Sequence, residues 1–254
     1  MKELVKDKLR VKIYDTRVKM GEAAADEISE KIARLLKKKE YLNIIFAAAP
    51  SQNEFLSSFS KKAIEWKRIN AFHMDEYVGL NAEAPQLFGN YLKSRLFDLV
   101  NFREIHYIMD LTGSPEEKCE KYADLLKHYP TDIVILGIGE NTHLAFNDPH
   151  VADFNDPEIV KVVDLDDKNR HQQVDPSDPA CFRSLDEVPT HAITLTIPSL
   201  FRSDYAYAIV PGKNKTEAVY HTIHEEIQPH FPSTILREHP NAVLFVDKDS
   251  AAKL

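Results

Sequence analysis

A chain of 254 residues, 43% hydrophobic and 28% charged, can bury one sizeable core, lies within the range that α/β folds fill as a single domain (1–254), and is too apolar for disorder. Its formal charge of −8 argues against nonspecific binding of nucleic acid while leaving room for a local basic pocket around an anionic substrate. Cys119 and Cys181 have no CxxC spacing, which indicates neither a disulfide framework nor a zinc site, and no stretch has transmembrane length or signal-peptide character, so a reducing cytoplasm and no membrane are expected.

In chain order, residues 16–39 place Met20, Ala24, Ile28, Ile32 and Leu35 at helical spacing among lysines and glutamates, predicting an amphipathic helix. Residues 41–49 read as a buried strand that turns small at Ala47, Ala48 and Ala49, where another group can approach the backbone closely. Pro50, Ser51 and Gln52 turn the chain into a helix with Phe55, Leu56, Phe59 and Ala63 on its inner side. The Ser51 hydroxyl and nearby backbone N–H groups would then face an anion such as phosphate. Residues 68–74 form the next strand candidate, followed directly by Asp75, Glu76 and Tyr77. Residues 86–100 read as helical and 105–109 as a short strand. Ser114, Pro115 and Glu117 then provide the N-cap, first-turn proline and capping box of another helix.

The densest polar chemistry follows, in DIVILGIGENTHLAFNDP at 132–149. A β-branched and apolar run breaks at Gly137 and Gly139 into a loop bearing Glu140, Asn141, Thr142 and His143, which closes at Asn147, Asp148 and Pro149. Strands are expected near 159–163, 190–197, 205–210 and 242–246, with a helix from Lys213. Residues 164–189, rich in charge and proline and without periodicity, suit a surface flap. Alternating strands and helices imply an α/β fold with a mainly parallel sheet and helices on both faces. Right-handed crossovers put the strand-end loops at one edge, so the 49–52 loop, Asp75 and the 137–148 loop should converge on one crevice.

Each constellation also has a plainer reading. Adjacent acids such as Asp75 and Glu76 are often solvated or cap helices. His143, with a carboxylate five residues on, can have one ring nitrogen oriented while the other handles a proton, or can simply satisfy the backbone. Gly137-Ile138-Gly139 lacks the third glycine of a dinucleotide fingerprint, which argues against a nicotinamide cofactor. His221 and His224 lack a third ligand and fit a partly solvated helix face better than a metal site. Lys213 and Lys215 lie at a strand-to-helix junction that permits a phosphate contact.

The segment FHMDEYVGL at 72–80 resembles the MDEYVGL motif of glucosamine-6-phosphate deaminases, and residues 137–149 resemble their second signature, GxGxDGHxAFNEP. The resemblance continues through 192–195, 211–215 and 233–240, and so spans almost the whole chain. It implies a Rossmann-like sheet and a metal-free, cofactor-free conversion of an amino sugar phosphate into a ketose phosphate with release of ammonia. By position it makes Asp75 the base that moves a proton between C2 and C1. His143, oriented by neighbouring acids, would assist ring opening, with Asp148 in place of the family's glutamate. Ala48, Ala49, Ser51, Gln52 and Gly137 would surround the phosphate with Lys215, and Arg170 would contribute from the flap. Family members are often homo-oligomers, so self-association is implied in the same way.

Three departures alter that pattern. Asn141 and Thr142 stand where the deaminases have Asp-Gly, Ala48-Ala49-Pro50-Ser51 replaces a glycine-rich loop, and Asp148 is one methylene short of glutamate. An asparagine can hold His143 by hydrogen bonding but cannot stabilise an imidazolium by charge, a loss that Glu140 is placed to compensate. Two further readings follow: a 6-phosphogluconolactonase-like hydrolase, which shares the Gly-x-Gly-Glu-x-x-His segment, and a sugar-phosphate-binding regulator without catalysis.

Overall fold

Alternate residues of the central strand enter two different cores: Ile133 and Ile135 pack on one side of a sheet, Val134 and Leu136 on the other. A strand covered on both faces has no solvated side, which is why its sequence is an unbroken apolar run. The computed structural model describes residues 1–178 and 181–254. Its strands are β1 (Lys2–Lys6), β2 (Leu9–Tyr14), β3 (Leu42–Phe46), β4 (Ile69–His73), β5 (Asp75–Tyr77), β6 (Glu104–His106), β7 (Ile133–Leu136), β8 (Val160–Asp164), β9 (His191–Leu195), β10 (Tyr205–Val210) and β11 (Ala242–Asp247). The helices are α1 (Arg17–Leu36), α2 (Asn53–Phe59), α3 (Phe88–Leu92), α4 (Pro115–His128), α5 (Asp167–Gln172), α6 (Ile197–Phe201) and α7 (Thr216–His224).

Eight strands form the main sheet in the order β1-β2-β11-β10-β7-β3-β4-β6, parallel throughout except for the β1–β2 hairpin. Met20, Phe55 and Tyr91 bring α1, α2 and α3 onto one face, while Tyr122, Leu200 and Val219 bring α4, α6 and α7 onto the other. Each such side chain, fully buried, contributes roughly 1.5–3 kcal/mol. The expected α/β architecture is therefore present. No helix among the described residues is long and apolar enough to cross a membrane.

Several local expectations differ from the structure. The strands expected at 159–163 and 190–197 lie outside the parallel sheet: β8 and β9 join β5 in a separate antiparallel sheet of order β5-β9-β8. The helix expected over 86–100 divides into α3 and a wider π turn, Lys93–Phe97. Helix α2 ends at Phe59, which leaves Ala63 exposed in the following loop. The N-terminal hairpin has no counterpart in the sequence reading, because β1 is an edge strand whose charged residues hide the period. The capping box is formed as expected, with Ser114 accepting from the Glu117 amide and Glu117 from the Ser114 amide.

Only Met74 separates β4 of the main sheet from β5 of the small one, and its carbonyl accepts from the Leu195 amide of β9. The chain therefore passes from one sheet to the other at Asp75.

Candidate active site

Strands β3 and β7 are neighbours, yet the chain continues from β3 towards one edge of the main sheet and from β7 towards the other. The loops after them part, opening a crevice beyond the carboxyl ends of the strands. A cavity of about 280 Å³ lies there. Ala48, Ala49 and Ser51 reach it from the β3 loop, Asp75 from the start of β5, and Gly137, Glu140 and His143 from the β7 loop. Lys215 arrives from the 3-10 turn Lys213–Lys215 after β10. The convergence expected from topology is thus present.

Asp75 and Glu76 use their strand geometry differently, because successive side chains of a strand point to opposite faces. Glu76 is turned away from the cavity and accepts from the amides of Tyr77, Phe88 and Gly89, holding the start of α3. Burial nevertheless pushes Glu76 up to about 7, against the pull of those three amides. The Asp75 carboxyl lines the cavity and receives no hydrogen bond from a described residue. Burial, and then the charge of Glu76, pushes its proton affinity well above the ordinary carboxylate range. His73 fixes the backbone here: its Nδ1 lies 2.9 Å from the Asp75 carbonyl and its Nε2 accepts from the Ile108 amide at 2.9 Å. Burial lowers that imidazole to about 4, so it stays neutral.

His143 stands against Asp148, with Nδ1 3.0 Å from Oδ1. The shorter carboxylate therefore still reaches the ring. Asp148 is fully buried, and its two oxygens also accept from Asn169 Nδ2 at 2.9 and 3.0 Å and from Asn141 Nδ2 at 2.9 Å. Burial pushes this carboxyl up, but the hydrogen bonds and charge of His143, followed by Asn141 and Asn169, overcome it and hold the carboxyl below its usual range. An ionised partner on Nδ1 leaves Nε2 as the working nitrogen. Gly139 makes room for the ring: a Cβ there would lie 2.2 Å from His143 Cε1.

The loop reaches this shape through two non-glycine residues in the left-handed region, Thr142 at φ 69° and Ala145 at φ 52°. For L residues that conformation costs roughly 1–2 kcal/mol, more for a β-branched one, and it explains why the deaminase signature carries glycine at the first of these positions. Bonds around the loop hold it: the Thr142 amide donates to Gly139, the Thr142 carbonyl accepts from Ser233, and Asn147 Nδ2 donates to Leu144 and to Leu195 of β9.

At the opposite end, burial lowers Lys215 to about 8, with the charge of Glu140 opposing. Glu140 therefore does not compensate at His143: its carboxylate accepts from Asn214 at 2.9 Å, on the lysine side. Asn141 does not grip the imidazole either. Its amide nitrogen goes to Asp148, and its Oδ1 takes only the His143 backbone amide, at 3.3 Å. Gln52 sits behind the lining, donating to Ser51 Oγ at 3.0 Å and to the Ile209 carbonyl at 3.1 Å. The structure places Arg170 outside the cavity lining, where its Nη2 donates to the carbonyls of Leu185 and Val188 at 2.8 and 3.0 Å. The carbonyls of its own segment are nearer than the ligand space. As for a metal, Asp148, His150 and Asp166 have ligand atoms within 4.8 Å of one another, but the oxygens of Asp148 are already engaged.

The sequence profile described as glucosamine-6-phosphate isomerases/6-phosphogluconolactonase matches residues 15–245. The chain belongs to that family. A glucosamine-6-phosphate deaminase of Clostridium botulinum (strain Eklund 17B / Type B) is 31% identical over 97% of both chains. One of Bacillus cereus (strain B4264) is 30% identical over 92% of this chain and 86% of its own. Among solved structures, a monomeric glucosamine-6-phosphate deaminase superposes with TM-score 0.85 at 24% identity, covering 95% of this chain and 98% of its own. The 6-phosphogluconolactonase of Thermotoga maritima reaches 0.74 at 21% identity, covering 95% and 100%. Both show the same fold.

Within the glucosamine-6-phosphate isomerase/6-phosphogluconolactonase family frame, two residues of this site had no signal in the sequence. Asn169 comes from α5, inside the expected flap, and is fully buried against Asp148. Arg17 opens α1, where it reads as one more solvent-facing cation, yet it lines the cavity.

Proposed function

We propose that the protein isomerises and deaminates glucosamine 6-phosphate, giving fructose 6-phosphate and ammonia with consumption of one water. The observation that carries this reading is that Asp75 and His143 open on the same cavity as Lys215 and the Ser51 turn. The phosphate lies against Lys215 and Ser51, which fixes the sugar carbons relative to the two proton-handling groups. His143 Nε2, with Nδ1 committed to Asp148, carries the proton between the ring oxygen and the C1 hydroxyl as the ring opens. Asp75 removes the proton from C2 of the open chain and returns it to C1. The imine left at C2 is hydrolysed, releasing ammonia. A carboxylate without protein donors, shielded from water, is a stronger base than one in solution, which suits abstraction from carbon.

Incubation with glucosamine 6-phosphate should yield ammonia and fructose 6-phosphate in equal amounts. No product from this sugar or from galactosamine 6-phosphate overturns the reading. The His143–Asp148 pair can equally activate water, which favours lactone hydrolysis as the second reading, and 6-phosphogluconolactonase folds superpose well. Hydrolysis of 6-phosphogluconolactone that survives Asp75→Asn selects it.

A further inference from the structure

Three features leave the phosphate end of the cavity short of positive charge. The flap arginine is spent on backbone carbonyls. The lining carries three carboxylates, Asp75, Glu140 and Asp175. Lys215 has Glu140 close enough to raise its proton affinity. A phosphate dianion bound by Lys215 alone would be under-neutralised beside these carboxylates.

The remaining lining cation is Arg17, and its surroundings suit a pre-positioned anion ligand. Its Nη2 donates to Glu54 Oε2 at 2.8 Å and to the Pro50 carbonyl at 3.1 Å, while Nε lies 2.7 Å from Glu54 Oε1 as an ion-pair contact without hydrogen-bond geometry. Nη1 has no partner among the described residues, and the side chain is 41% exposed at the cavity. Helix packing places the guanidinium there. A Cβ on Gly21 would lie 2.8 Å from the backbone of Glu54 and Phe55, so only glycine lets α1 approach α2 closely enough for Arg17 to meet the Ser51 turn. Glu54 and Pro50 thus hold the planar fork beside Ser51 and leave one corner available, the arrangement by which arginine recognises phosphate oxygens.

We propose that Arg17 is the second cationic ligand of the substrate's phosphate group, working with Lys215 in the place the resemblance gives to Arg170. The inference rests on the sugar-phosphate reading of the cavity but not on the deamination step.

Inorganic phosphate, titrated into the full-length protein by calorimetry, is the direct probe. Arg17→Gln should weaken phosphate binding roughly 10- to 100-fold, the range for loss of a hydrogen bond to a charged group. The same variant should raise KM for glucosamine 6-phosphate comparably with little change in kcat. Arg170→Gln should leave phosphate affinity within about threefold of wild type. Glu54→Gln separates ligand from brace. A brace acting through Glu54 would weaken phosphate binding in Glu54→Gln as much as in Arg17→Gln, whereas a ligand freed from its counter-ion binds phosphate equally or more tightly. Phosphate affinity unchanged in Arg17→Gln, reduced equally in Glu54→Gln, or absent in the wild type overturns the proposal. Arg17-dependent phosphate binding without turnover would sustain it while removing the deaminase reading.

Discussion

Asp75 and Asp148 are 6% and 0% exposed, yet burial leaves them with opposite proton affinities. Asp148 sits where donors from its own loop and from α5 converge: two asparagine amides and an imidazole meet its oxygens. Asp75 begins a strand whose backbone partners are satisfied by Thr194 and neighbours, so its carboxyl meets a second carboxylate and the cavity. Desolvation raises both, and the number of donors decides the outcome. One region keeps its charge in place to orient a histidine; the other keeps a carboxylate poorly solvated so that it holds a proton strongly.

The largest test of that contrast is Asp75→Asn. It should lower kcat for glucosamine 6-phosphate by on the order of 10²–10⁴, the usual worth of a general base, with KM almost unchanged in steady-state assays. A full rate would show that the desolvated carboxylate is not the base. Gly139→Ala comes next. Its Cβ would collide with His143 at 2.2 Å, displacing the ring from Asp148, and kcat should fall roughly 10-fold to 100-fold while the melting curve stays cooperative.

Stability against pH should separate the two carboxylates by sign. The raised affinity of Asp75 stabilises the fold below the ordinary carboxylate range, and that contribution is lost as pH rises through its folded value. The lowered affinity of Asp148 contributes above the ordinary range and is lost as pH falls through its folded value. Between about pH 3 and pH 8, the melting temperature of Asp75→Asn relative to wild type should therefore rise with pH and that of Asp148→Asn should fall. Parallel curves would refute the assignment. The smallest effect is expected from Asn169→Ala, which removes one donor from both oxygens of Asp148. Denaturant melts should show a loss of about 1–2 kcal/mol, with the acid side of the stability profile moved to higher pH.

What could be read from the sequence follows from where the determinants lie. Ile133–Leu136 announces itself as a buried strand, and Ser114 to Glu117 as a helix start, because those signals are local. His143 and Asp148 share one loop, so their pairing was legible from spacing. The donors that set the charge of Asp148 were only half legible. Asn141 stands in the motif, but Asn169 is 21 residues away in a segment without periodicity. Arg17 carried no signal for a similar reason: which arginine lines the cavity depends on the closeness of α1 to α2, set by Gly21, and on the carbonyls that hold Arg170. The separate sheet was missed because β8 and β9 carry the same apolar content as parallel strands, and only tertiary pairing distinguishes them.

The single-residue link at Met74 has a mechanical consequence. Strand β5 of the small sheet begins with Asp75, and β8 of the same sheet leads into α5, which carries Asn169. The Ser51 turn and the Lys215 turn instead follow β3 and β10 of the main sheet. Asp75 and Asn169 thus ride on one platform and the Ser51 and Lys215 turns on another. A shift of the small sheet against the main one at Met74 would therefore change the span from Asp75 to Ser51 and Lys215 without disturbing the turns that carry them. In such a scaffold, the length of the cavity becomes a property of the joint between two sheets.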